Sequence, residues 1–398
     1  MRQLATAGAI AAACLAATSV QGQAPREVRI GVVTTLTTPA AIIGREVQDA
    51  LNLAVEHAGG EAAGLKLKLI VEDDGLKPDI GRQKTEKLIR QDNVDIVAGY
   101  VWSNVLLASR KSVLDAGKIL ISTNAAPSDM AGRLCNPAFF AMRGQGDVMA
   151  MALGADLDRR GVKTAYTMAP NYAAGKDVIA GFQRTFSGKV VGQDFTKWGD
   201  DPQLDFSAEL TKAAASGAEA LVAFYPGRAA AFMKQFEQSG LAGKVKLYTV
   251  YTLDQTALPS LQQGNVTGAL GTGLIDYWYP DLDTPENKRF VADFRTRYGR
   301  TPSNYAAAAY DVIPFIKAAL ETVKGDLSDK AALQKALAEA KFRSVRGVFR
   351  FGRNQMPLDN YYALTVAAQP DGNWGLTAPS LALENGADPY VGDCKMGS

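Results

Sequence analysis

The hydrophobic pattern divides the chain into short apolar runs, each followed by a longer amphipathic stretch. Val28, Ile30, Val32 and Val33 form a β-branched run of the length of a buried strand. Val47, Leu51, Ala54, Val55 and Ala58 then recur at the spacing of one helix face. Between them, Thr34 to Gly44 is rich in hydroxyls and small residues but lacks the spacing of a phosphate loop. A strand that empties through such a loop into a helix leaves free backbone N–H groups at the carboxyl edge of a sheet, where ligands of open α/β sheets bind. This loop, Thr35 included, is expected to form one wall of a ligand cleft.

The same alternation continues. Residues 65–73, 94–99 and 118–122 read as strands, with helices over 78–91 and 105–116. Trp102, Ser103 and Asn104 follow the strand 94–99, and Asn124, Ala125 and Ala126 follow the strand 118–122. The polar residues among them could simply cap helices, but a Trp at a loop tip needs something to cover, which favours a ligand role. After Phe139-Phe140-Ala141-Met142 the character changes at Arg143-Gly144-Gln145-Gly146, and the first hinge is placed there.

A second series of units follows. Strands are expected over 162–168, 190–195, 220–224 and 245–250, with exits at Tyr172, Arg228 and Tyr251. An aromatic run, Asp276-Tyr277-Trp278-Tyr279-Pro280, precedes helices over 285–298, 305–323 and 329–340. A late hairpin is read from 348–351 with 362–367, and the stretch from Gln369 onward reads as turn-rich. The pattern predicts an α/β protein of two doubly wound, Rossmann-like lobes joined by a three-segment hinge. Lobe 1 takes residues 23–142 and 276–350, and lobe 2 takes residues 143–275 and 351–398.

Composition narrows the possibilities. Arg2, the apolar run Ala7–Ala17 and the small residues around Val20-Gln21-Gly22 read as an export signal over residues 1–22, too short for a membrane span. Its removal leaves 376 of the 398 residues, with 42 Lys+Arg against 41 Asp+Glu. Such balance gives no footprint for nucleic acid. Export favours a disulfide between Cys135 and Cys394 that would hold the C-terminal tail, two free thiols being the alternative. The single histidine, His57, leaves little from which to build a Ser-His-Asp apparatus or a zinc or haem site, and reads as structural. Ser103 and Ser122 lack a base, and the adjacent pairs Asp73-Asp74 and Asp200-Asp201 read as solvated turns. No enzyme activity, cofactor or metal is expected.

Taken together, RIGVVTTLT, GREVQDALNLAVEHAGG, VDIVAGYVWSNVLLAS, KILISTNAAPSDM, FFAMRGQGD, APNYAAGKD and LVAFYPGRAAAFMKQFEQSGL resemble, in order, the type I periplasmic solute-binding proteins of ABC importers, in the leucine/isoleucine/valine-binding branch. The resemblance implies two closing lobes with the ligand between them, a periplasmic location, a monomer, and a membrane permease and ATPase as partners. It maps the family's carboxylate-holding serine loop onto Ser103 with Asn104. It maps the small-Ala-Thr motif onto Asn124, Ala125 and Ala126, and the second lobe's first-loop aromatic onto Tyr172. Two departures matter. Ala126 stands where amino-acid binders carry the Thr that holds the ammonium, and Tyr251 where they carry an acid.

A buried ammonium without a carboxylate partner costs several kcal/mol, so an α-amino acid is disfavoured. Donors for a carboxylate remain in Ser103, Asn104, Asn124 and Arg228, and Trp102, Tyr172, Tyr251 and Trp278 offer a flat aromatic lining. The expected ligand is therefore an aromatic or similarly apolar carboxylate. The alternatives are a branched-chain or neutral amino-acid binder that finds its acid at Asp254 or Asp276, and an exported ligand sensor.

Overall fold

The computed structural model describes residues 26–199 and 202–396. The export signal over 1–22 and the pair Asp200-Asp201 lie outside the described residues. Two sheets organise the chain. The first has the order β2-β3-β1-β4-β5-β6, with β1 Glu27–Thr34, β2 Glu61–Ala62, β3 Leu65–Asp73, β4 Ile96–Gly99, β5 Ile119–Ser122 and β6 Phe139–Ala141. All of its pairings are parallel except the short β2–β3 ribbon. The second has the order β13-β12-β11-β10-β9-β7-β8. Its strands are β7 Thr164–Pro170, β8 Lys189–Thr196, β9 Ala220–Ala223, β10 Lys246–Val250, β11 Gly273–Asp276, β12 Asp359–Ala368 and β13 Trp374–Gly386.

The central parallel strands are mostly apolar because helices cover both faces. Val28, Ile30, Val32 and Val33 of β1 are all fully buried. The alternation that marks a half-exposed strand appears only in the flanking strands, for example in Leu65–Lys68 of β3. Helix termini follow local chemistry. Thr284 accepts the Asn287 N–H at 3.1 Å with Pro285 in the first turn, and Gly299 closes the same helix in the left-handed region.

The helices Pro285–Tyr298, Asn304–Tyr310 and Val312–Thr322 pack against the helix Ala41–His57 beside the first sheet. The helix expected over 305–323 is thus two helices. Asp311 interrupts it, its carboxylate turned to Ser344, to the Val345 N–H and to Arg346. Chain passes between the sheets after β6, after β11 and again before β12.

One expectation is overturned at the C-terminal end. The late hairpin is not 348–351 with 362–367 but β12 with β13, and the stretch read as turn-rich from Gln369 contains a 13-residue strand. The turn is confined to residues 369–373. There Gly372 adopts φ +84 and the Gln369 N–H reaches the Asn373 carbonyl at 2.7 Å. Residues 348–351 are limited to an isolated bridge between Phe351 and Pro357. Beyond β13 the tail leaves the second sheet and returns to the first, where Cys394 is bonded to Cys135 with a Cα–Cα distance of 5.6 Å. The disulfide is present as expected and ties the tail to the segment before β6.

Candidate functional site

The carboxyl ends of the two sets of parallel strands face each other across a narrow cavity. Its lining comes almost entirely from strand exits. From the first sheet come Val101, Trp102 and Ser103 after β4, Asn124 and Ala125 after β5, and Arg143 after β6. From the second come Tyr172, Ala174 and Val178 after β7, Phe224 and Pro226 after β9, and Tyr251 after β10. Tyr305 enters from the helix Asn304–Tyr310, and Gly146 from the crossing after β6. This is the position that open α/β sheets reserve for ligands.

Of the sequence-predicted residues, the structure brings Trp102, Ser103, Asn124, Ala125, Tyr172 and Tyr251 together on this lining. Ser103 is the first residue of the helix Ser103–Asp115, so that helix's free N–H groups lie beside the cavity. Asn124 is fixed by its amide, which donates to the Val101 carbonyl at 2.7 Å. Tyr251 sits at φ +53, a strained backbone for a tyrosine, immediately after β10. Burial pushes the hydroxyls of Tyr172 and Tyr251 well up from their ordinary range, against the opposing pull of Arg143, so both remain neutral.

Five of the expected site residues lie elsewhere. Thr35 is fully buried behind the wall. It donates to Asp74 Oδ1 at 2.5 Å and accepts the Trp102 indole N–H at 2.7 Å, so the 34–44 loop supports the site without lining it. Trp278 is a core residue whose indole N–H is taken by Asn287 Oδ1 at 2.7 Å, with Phe290 edge-on. Arg228 lies over the outer ring of Trp198, 5.5 Å from its centroid. Asn104 is not part of the lining, and its Oδ1 is buried without a hydrogen-bond partner. Ala126 is buried and presents its carbonyl to the Gly146 N–H at 3.1 Å. His57, read as structural, bridges Tyr310 and Asp293.

The groups that sequence reasoning missed include Arg143, Tyr305, Trp198 and the ring of Phe224. Arg143, read as a hinge residue, lines the cavity at 5% exposure, with its guanidinium carbon 4.0 Å from the centre of the Tyr251 ring. The signal was available, because Arg143 follows the apolar strand β6 just as Trp102 follows β4. Tyr305 gave no strand-exit signal, as it comes from a helix. Trp198 follows β8 and stacks on Tyr172 at 4.5 Å with an interplanar angle of 12°. The same ring lies 5.4 Å from Trp102, so it joins the two lobes over the cavity. The lobes also meet where Ser128 donates to Asp177 from its N–H at 2.9 Å and from its Oγ at 2.8 Å. At the rim, a Cβ built on Gly227 would come within 3.0 Å of the Ala40 Cβ.

Among the described residues that line the cavity none is acidic. The two carboxylates named as possible ammonium partners are engaged elsewhere. Asp254 Oδ1 accepts the N–H and Oγ of Thr256, and Asp276 takes the Tyr277 N–H and the Asn304 amide. Burial pushes both acids up, away from the charged form an ammonium would need. Among the described residues no group of side chains could hold a metal ion.

Fold and site together define a binding protein whose two lobes close over a small molecule. The chain belongs to the periplasmic binding protein family, whose model matches residues 27–373. It is 25% identical over 323 residues to a Leu/Ile/Val-binding protein homolog of Brucella melitensis, covering 79% of this chain and 84% of that protein. Among solved structures, a solute-binding protein of an ABC transporter from R. palustris, in complex with benzoate, shares 25% identity and a TM-score of 0.85. The match covers 93% of this chain and 100% of that one. An ABC transporter substrate-binding protein from Sphaerobacter thermophilus shares 28% identity at a TM-score of 0.81, covering 91% of this chain and 99% of that one.

Proposed function

We propose that this protein is the extracytoplasmic solute-binding component of an ABC import system, and that it captures a small aromatic or similarly apolar carboxylate between its lobes. The observation that carries the reading is the composition of the cavity wall. It holds the rings of Trp102, Tyr172, Phe224, Tyr251 and Tyr305 and the polar edge of Ser103 and Asn124, with no acid among its described residues. A planar apolar body suits stacked rings. An α-amino acid would bury its ammonium unpaired, at a cost of several kcal/mol.

The R. palustris relative with benzoate supports this class of ligand, and the Leu/Ile/Val-binding homolog supports the family's amino-acid branch as the competing reading. The bound molecule is, in this reading, carried to the membrane, as befits a member of a family of transport-associated binding proteins. The protein acts in the periplasm after removal of its signal, as a monomer that presents the closed form to a membrane permease and its ATPase.

Isothermal titration with benzoate, 4-hydroxycinnamate, phenylalanine and leucine tests the proposal. The aromatic acids should bind at micromolar or tighter dissociation constants, with neither amino acid competing. Tight leucine binding together with silence towards the aromatic acids would replace this ligand class with the amino-acid reading.

A further inference from the structure

Arg143 is the feature the sequence reading passed over. Its side chain is buried in the cavity wall, its Nε has no hydrogen-bond partner, and no carboxylate among the described residues forms an ion pair with it. The acid that acts on it from outside ion-pair distance, Asp359, is already committed. Arg346 Nη1 holds its two oxygens at 3.0 and 3.3 Å, and the Gly144 N–H reaches it at 3.2 Å. Arg346 in turn holds Asp311. What faces Arg143 is the π face of Tyr251, with Tyr277, Tyr305 and Tyr361 nearby, and the cavity. A guanidinium carries five donors in a planar fork matched to a carboxylate, and a cation taken out of water without an anion is expensive. With tyrosines but no carboxylate against it, that cost is not fully covered until an anion enters.

We infer that Arg143 is the specificity-determining residue of the cleft: it takes the ligand's carboxylate and makes lobe closure conditional on an anion. The inference rests on the proposed ligand class but extends it, because it assigns the carboxylate to one side chain and gives that contact a conformational role. With the lobes apart, water reaches the guanidinium. When they close around a neutral molecule, the guanidinium is stripped of water and left unpaired. Closure around a carboxylate replaces the lost water with charge-assisted hydrogen bonds. Discrimination between benzoate and its uncharged isostere benzamide therefore arises at the closing step.

The test compares wild type, Arg143→Met and Arg143→Lys with benzoate and benzamide. Affinity is read by calorimetry and closure by the fall in scattering radius. Wild type should prefer benzoate by about a hundredfold or more, the scale of an unpaired buried charge. It should contract with benzoate and not with benzamide. Arg143→Met should lose most of that preference and Arg143→Lys should restore part of it, with thermal melts confirming folded protein. Benzoate binding by Arg143→Met within about threefold of wild type would overturn the inference while leaving the aromatic-carboxylate reading intact. If wild type instead binds leucine alone, the ligand class fails, and an unchanged leucine affinity in Arg143→Met then overturns the inference as well. Should Arg143→Met not fold, equal wild-type affinity for benzoate and benzamide overturns it independently, and no response of wild type to any carboxylate overturns both.

Discussion

Ser128, on the first lobe, donates both its N–H and its hydroxyl to the carboxylate of Asp177, on the second. The latch is buried: Asp177 is only 7% exposed. Burial first, and the nearby charge of Asp147 second, push the Asp177 carboxyl up to about 7, against the pull of the two Ser128 hydrogen bonds. Opening the cleft would return this carboxyl to water and to the ordinary range near 4. The closed form therefore keeps a proton that the open form releases, and closure weakens as pH rises from about 4 through about 7.

The expected outcome is a ligand affinity that falls by about tenfold or more between pH 5.5 and 7.5 and levels off above, the aromatic acid being ionised throughout. Asp177→Asn should flatten the profile. Calorimetric titrations at four pH values check it, and a flat wild-type profile, or an affinity that rises with pH, would show that the latch is not proton-linked.

Trp198 stacks on Tyr172 and tilts against Trp102, both of which line the cavity. The Trp102 contact exists only when the lobes are together. An aromatic pair contributes about 0.5–1.5 kcal/mol beyond its area, so Trp198→Ala should weaken ligand binding by about tenfold, mainly through faster release. The half-buried position predicts a thermal midpoint close to that of wild type. Stopped-flow release rates and a melt separate this from general destabilisation, which would lower both together.

Trp278 marks the opposite case. The aromatic run 276–280 looks like a site lining in sequence, but the indole N–H is bonded to Asn287 inside the core. Trp278→Phe leaves Asn287 Oδ1 buried without its donor and should cost about 1–3 kcal/mol of stability. Ligand affinity should not change. A loss of affinity with unchanged urea midpoint would return Trp278 to the site.

The elements were legible because the central parallel strands are largely buried and rich in β-branched residues, such as Val28, Ile30, Val32 and Val33. Residues at their carboxyl ends were legible for the same reason: Trp102, Asn124, Tyr172 and Tyr251 all follow a recognisable run. Arg143 follows one too, but the glycines after it read as a hinge, and a residue can be both. Thr35 and Trp278 were misplaced because a polar or aromatic residue at a strand exit looks the same in sequence whether it faces the cleft or a neighbour 67 or 9 residues away. The strand β13 was hidden by Gly375 and Pro379 within it and by the glycine turn before it.

The return of the tail from β13 to the first lobe makes the Cys135–Cys394 bond a covalent link between the two lobes, in addition to the crossings of the chain. The bridged residues are 259 apart in sequence, so chain entropy sets a ceiling of about 5.6 kcal/mol on its effect. The full effect should not be seen, because the tail has other anchors. Asn354 donates to Asp388 at 2.8 Å, and Arg353 reaches the Val391 carbonyl at 2.6 Å. Replacing both cysteines by serine should therefore cost about 2–3 kcal/mol, read as a lower urea midpoint. The ligand-free protein should also open further, with a larger scattering radius than wild type, while the ligand-bound radius stays the same. Identical radii in the ligand-free state would show that the chain crossings alone limit opening and that the disulfide only holds the tail.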